Sequence, residues 1–157
     1  MKVFVDLEET LIISWTSPVP LVRNIQEIRH LCISKGVTSI TIFSLAILDN
    51  RDKKTFFERI LPLFDSILDL EVDVITMEEI RDIICCGTCL NFKLSEWSDV
   101  FAFNGKMQPF IEMIRASDDE VKENETFVLI DDKVENMDIH LKDTNTKIQF
   151  IRVENEN

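Results

Sequence analysis

Four places in the chain put reactive side chains directly beside short apolar runs. Asp6 closes Lys2-Val-Phe-Val-Asp6 and leads into Leu7-Glu8-Glu9-Thr10; Ser44 follows Thr38-Ser-Ile-Thr-Ile-Phe43; Lys106 stands just ahead of Pro109-Phe110-Ile111; and Asp131-Asp132 close Phe127-Val-Leu-Ile130. Carboxylates carry protons and bind hard cations, a hydroxyl donates hydrogen bonds, and an ammonium neutralises anionic charge. Taken singly, each has an ordinary reading: paired acids make turns, a lysine is solvated, and a serine caps a helix. A fifth candidate, Cys85-Cys86-Gly87-Thr88-Cys89, contains the C-x-x-C spacing of a redox pair or half a zinc site. It follows a helical pattern and has no second C-x-x-C or H-x-x-x-H to complete it, so incidental thiols are expected.

The elements that must position these groups alternate. Residues 2–6 read as a buried strand, and Leu21, Val22, Ile25, Ile28, Leu31 and Cys32 recur at helical spacing up to Lys35-Gly36, a C-terminal pattern. Residues 38–43 form the next strand. Phe56, Phe57, Ile60, Leu61 and Phe64 mark a second helical segment, which Pro62 kinks or breaks. Further on, Val72–Thr76 reads as a strand, Met77–Cys85 as a short helix and Val100–Phe103 as a strand. A helix is expected to begin at Pro109. Residues 118–125, with five acids and one lysine, read as a solvated loop. After the strand 127–130, residues 134–142 read as a helix and 147–153 as a final strand. His30 and His140 fall on expected helices, and Trp15 and Trp97 are read as packing residues.

This alternation predicts a single α/β domain over residues 1–153, a three-layer sandwich about a mostly parallel sheet, with a frayed tail at 154–157. In such sheets ligands bind beyond the carboxyl ends of the strands, where Asp6, Ser44 and Asp131-Asp132 fall. Composition narrows the chemistry. The 157 residues contain three glycines, too scattered for a P-loop, a dinucleotide fingerprint or a G-x-S-x-G elbow. Net charge −12 disfavours nonspecific nucleic-acid and membrane-surface binding. A phosphate-bearing partner would therefore need local capture, with a bound cation. No long apolar leader or membrane span is seen, and four cysteines in such a chain suit thiols in a reducing cytoplasm.

In order along the chain, Val3-Phe-Val-Asp6-Leu-Glu8-Glu-Thr10-Leu11, Ile42-Phe43-Ser44, Gly105-Lys106-Met-Gln-Pro109-Phe110 and Phe127-Val-Leu-Ile-Asp131-Asp132-Lys-Val-Glu-Asn136 resemble the four motifs of the haloacid dehalogenase-like superfamily, whose members are mostly Mg²⁺-dependent phosphatases. The resemblance covers residues 3 to about 153 and implies a Rossmannoid fold. It implies that Asp6 is a nucleophile forming an aspartyl-phosphate, and that Asp6, the Glu8 backbone carbonyl, Asp131 and Asp132 hold Mg²⁺. Lys106 would offset charge on the nucleophile and intermediate. Ser44, with Lys106 and Thr10, would bind phosphate, and Asn136 would orient Asp132 or Lys106. A response-regulator receiver also gathers acids, a hydroxyl and a lysine, but its acid pair should follow the first strand.

The chain departs from the family at Glu8, where phosphatases usually carry the general-acid Asp. Strand alternation would direct Asp6, Glu8 and Thr10 to one side. Glutamate differs from aspartate by only about 0.4 pKa unit, so reach rather than proton affinity is altered. The expectation is a Mg²⁺-dependent phosphohydrolase acting on a phosphorylated small molecule or phosphoprotein. The alternative is a weak or inactive homologue that binds a phosphorylated ligand or partner. Spacing leaves room for at most a small flap at about 70–99, and oligomeric state is left open.

Overall fold

The computed structural model describes residues 1–88 and 105–154. Strands β1 (Lys2–Val5), β2 (Ser39–Phe43), β3 (Glu71–Ile75), β4 (Thr126–Asp131), β5 (Met137–Leu141) and β6 (Thr146–Arg152) form one sheet in the order β3-β2-β1-β4-β6-β5. All neighbours are parallel except β5 with β6. The helices are α1 (Val22–Ser34), α2 (Asn50–Thr55), α3 (Asp65–Leu68), α4 (Met77–Thr88), α5 (Met107–Ala116) and α6 (Asp119–Lys122).

Two apolar clusters explain why β4 is buried along nearly its whole length. On one face Val128 and Ile130 join Val3, Val5, Ile40 and Ile42 beneath Ile25, Ile28 and Cys32 of α1 and Phe56, Phe64 and Leu68. On the other, Phe127 and Leu129 join Ile148 and Phe150 beneath Ile80 and Ile84 of α4 and Phe110 and Ile114 of α5. The sheet is thus covered on both faces, as expected. Phe110 is the hub of the second cluster, its ring 5.2 Å from Phe4, 5.3 Å from Phe43 and 5.9 Å from Phe150, each edge-on.

Local signals account for most boundaries. α1 ends in a Schellman motif: Gly36 takes φ +69° while its N–H bonds Ile33 C=O at 3.1 Å, and Val37 N–H bonds Cys32 C=O at 2.8 Å. At Pro62 the helix widens into a π turn (Phe56–Ile60) and tightens into a 3₁₀ turn (Leu61–Leu63) before α3. Pro109 is the third residue of α5 rather than its first, where its missing N–H still costs nothing.

Three expectations are corrected. Residues 134–142 are not a helix, because Met137–Leu141 pairs antiparallel with β6 as strand β5. Ile139 and Leu141 pack on the second cluster, while Asp138 and His140 stay exposed. The hairpin to β6 turns at Asn145, φ +51°. Within 118–125 one helical turn, α6, forms and keeps its acids exposed. Much of the expected flap is framework, since β3 is a sheet strand and α4 packs against α5. The expected strand Val100–Phe103, Trp97 and the tail beyond Glu154 lie outside the described residues, as does Cys89 of the C-x-x-C. No helix among the described residues is long and apolar enough to cross a membrane.

Phe110, 0% exposed, should tolerate truncation poorly. Phe110→Ala is expected to lower unfolding free energy by about 3–5 kcal/mol. Leu63→Ala, at a side chain 47% exposed, should cost under about 1 kcal/mol. Urea denaturation of both variants checks this, and equal losses would contradict the assigned core.

Candidate functional site

Pairing between β1 and β4 creates the site. Val5 lies opposite Ile130 in parallel register, and Asp6 N–H continues the ladder to Ile130 C=O at 2.9 Å, so Asp6 emerges beside Asp131. β2, on the other side of β1, delivers Ser44. Lys106 arrives from across the crevice as the residue preceding α5, after Gly105 in the left-handed region at φ +77°. Asp6, Ser44, Lys106, Asp131 and Asp132 all line one cavity of about 400 Å³ at the carboxyl end of the sheet.

Lys106 Nζ donates to Asp6 Oδ1 and lies 3.2 Å from Asp131 Oδ2. Thr10 Oγ1 donates to Asp6 Oδ2 at 3.2 Å, and Lys133 N–H donates to Asp131 Oδ1 at 2.9 Å. Both carboxylates are therefore bonded through both oxygens. Asp132 is different: it is 5% exposed, and its Oδ1 is buried with no hydrogen-bond partner among the described residues. One oxygen from each of Asp6, Asp131 and Asp132 falls within 4.8 Å of the others.

Among the described residues, one buried ammonium faces three buried carboxylates. Burial, reinforced by Asp131 and only partly offset by Lys106, pushes Asp6 up to about 6. Burial together with Asp131, through a shared proton and like-charge repulsion, pushes Asp132 up to about 7. Burial pulls Lys106 down, but Asp6 and Asp131 together outweigh it and hold the ammonium above its ordinary value. An unpartnered carboxylate oxygen beside two further carboxylates fits a hard divalent cation, which takes oxygen ligands and favours their ionised form.

The loop after β1 is a turn, not a continued strand. Leu11 and Ile12 N–H both return to Leu7 C=O, and Glu9 sits at φ +62°. Buried Leu7, Leu11 and Ile12 anchor this turn, which aims Thr10 at Asp6 rather than at the open crevice. Glu8 lines the cavity, with its Oε2 accepting Trp15 N–H at 2.8 Å. Ser44 Oγ accepts Ala46 N–H at 3.2 Å, and Asp49, not Ser44, caps α2. Asn136 does not orient Asp132 or Lys106: it is exposed, and its Oδ1 accepts Arg152 N–H at 2.8 Å, tying the loop to the end of β6.

Two charged lining residues escape the sequence reading. Glu9 and Lys133 meet at 3.1 Å across the mouth of the cavity. Lys133 directly follows the acid pair, which was the available signal, whereas period-two alternation turned Glu9 away. Cys32 lies on the buried face of α1, and burial pushes its thiol up to about 11, which suits an inert core residue. No family model, curated protein or solved structure matches the chain.

Asp6 and Asp132 titrate higher folded than unfolded, where the value is about 4. The folded state thus holds protons that the unfolded chain has released. Their contribution is fully present below pH about 4 and is lost as pH rises through about 6 and about 7. Asp132→Asn carries no charge to desolvate. At pH 8 in divalent-free buffer it should be more stable than wild type by roughly 1–3 kcal/mol, with the difference closing near pH 4. Denaturant titrations at both pH values check the sign.

Proposed function

We propose that the chain is a haloacid dehalogenase-like phosphohydrolase that works through Asp6. The observation that carries this reading is the convergence of Lys106 on Asp6 and Asp131-Asp132 at adjacent parallel strand ends, with Asp132 Oδ1 left unpartnered among the described residues. Phosphoryl transfer needs a nucleophile, neutralisation of the equatorial oxygens and a proton for the leaving group. Asp6, Asp131, Asp132 and the Glu8 carbonyl would hold the divalent cation, Mg²⁺ in this reading. When bound, it supplies positive charge against the phosphoryl oxygens and keeps the carboxylates ionised.

The Asp6 carboxylate attacks phosphorus, the ester oxygen departs, and an aspartyl-phosphate is left for water to hydrolyse. Lys106 keeps Asp6 anionic for attack and offsets charge on the intermediate. Ser44, whose Oγ accepts Ala46 N–H, still has its own proton to donate to a phosphoryl oxygen. Glu8 protonates the leaving oxygen and then takes a proton from the attacking water. The substrate is a phosphorylated small molecule or an exposed phosphoresidue of a protein.

One observation favours a second reading, a phosphate-binding protein with little turnover. Trp15 N–H already holds Glu8 Oε2 on the rim, and reach toward a leaving group is what the longer side chain puts at issue.

Aryl phosphate hydrolysis with Mg²⁺ tests both. The enzyme reading expects turnover that EDTA abolishes, that Asp6→Asn lowers by more than about 10³, and that Glu8→Gln lowers by about 10²–10⁴. Turnover indifferent to Asp6→Asn overturns the reading. Phosphate binding without turnover in wild type or Glu8→Asp establishes the second.

A further inference from the structure

The cavity carries more negative charge than capture of a phosphate requires. Among the described residues its lining holds Asp6, Glu8, Glu9, Asp131 and Asp132 against Lys106 and Lys133. Fully ionised, five carboxylates exceed two ammonium groups by three charges. A divalent cation reduces the excess to one, and a dianionic phosphate monoester restores it to three. Asp132 Oδ1, buried and unpartnered among the described residues, adds to the demand for positive charge.

The two lysines differ in what they can still do. Lys106 is enclosed between Asp6 and Asp131. Lys133 is 77% exposed and meets Glu9 through one contact at 3.1 Å, an arrangement that adds little stability and is readily exchanged. Glu9 is the fixed partner. Its backbone is held at φ +62° by hydrogen bonds from its N–H to the carbonyls of Ile12 and Ile13, at 2.7 and 3.3 Å, so its carboxylate is presented by the turn. The chain's own ammonium therefore marks a place where positive charge is held at the mouth of the phosphate cavity. An anionic group drawn to Lys133 would enter a field dominated by carboxylates, whereas a cationic one gains from that field.

Resting on the phosphate-site reading above, we propose that this site selects small phosphate monoesters carrying an ammonium group, which displaces Lys133 from Glu9 while the phosphate lies toward Asp6 and Lys106. A cavity of about 400 Å³ suits a ligand of that size.

Calorimetric titration of the full chain in Mg²⁺ with methylphosphonate, 2-aminoethylphosphonate, 3-aminopropylphosphonate and phosphonoacetate tests this. The better of the two amines is expected to bind about three- to tenfold more tightly than methylphosphonate, and phosphonoacetate more weakly. Glu9→Gln should bring the amine within about twofold of methylphosphonate, and Lys133→Gln should widen the preference. The proposal is overturned if phosphonoacetate binds tightest, if the preference survives Glu9→Gln, or if none of the four binds. Asp6-dependent hydrolysis without an ammonium preference overturns this inference alone. An ammonium preference without hydrolysis supports it and removes only the enzymatic reading.

Discussion

The ammonium of Lys106, buried between Asp6 and Asp131, is the contact on which the geometry of the crevice depends. Two charges withdrawn from water lose hydration that only close opposite charge and full hydrogen bonding restore. Asp6 and Asp131 meet that condition: each is bonded by Lys106 through one oxygen and by Thr10 or the Lys133 backbone through the other. Asp132 does not, because Lys106, the buried lysine of the site among the described residues, is already shared by two acids. Burial, with the neighbouring carboxylates adding to it, raises both Asp6 and Asp132 and leaves a buried oxygen facing a cavity, which is how a fold creates demand for a ligand.

Lys106 also sits where helix electrostatics disfavours it, just before the first turn of α5, whose N-terminal dipole end is positive. The carboxylates opposite draw its side chain across the crevice, and left-handed Gly105 lets the chain turn into the helix at that point. What holds α5 is its apolar stripe: Phe110, Ile111, Met113 and Ile114 are buried against the sheet and α4. The core and the site are therefore coupled mechanically, with the aromatic cluster fixing the helix and the helix presenting the lysine. Glu9 in the left-handed region is a comparable local cost at the site, carried by the buried anchors Leu7, Leu11 and Ile12 around it.

Much of this was legible in sequence where one signal dominated. β1, β2 and β4 are dense apolar runs, α1 has a clean stripe and a Lys35-Gly36 ending, and the polar residues that close those runs lie at the crevice. Legibility failed where two signals competed. Met137–Leu141 is five residues long, too short for periodicity to separate strand from helix, and pairing with β6 decided it. The resemblance implies a phosphate ligand at Thr10, which instead braces Asp6, and strand alternation past Val5 points Glu9 away from the crevice that the turn makes it line. The family resemblance implies a partner in the site for Asn136, yet the loop carries it outward to Arg152 N–H.

The sequence by itself determined which residue types end β1, β2 and β4, and that an acidic, glycine-poor chain has no glycine-rich backbone cradle to offer an anion. Those properties follow from local periodicity and composition, which need no partner to be read. Tertiary structure alone decided which carboxylates share the lysine, which oxygen is left over and which ion pair closes the mouth. Each is a contact between β1, β4 and α5 or their loops, joining residues as far apart in the chain as Glu9 and Lys133, and depends on strand order and register. Charge on one residue carries no information about which opposite charge the fold will place beside it, so the chemistry of the site resides in the pairing.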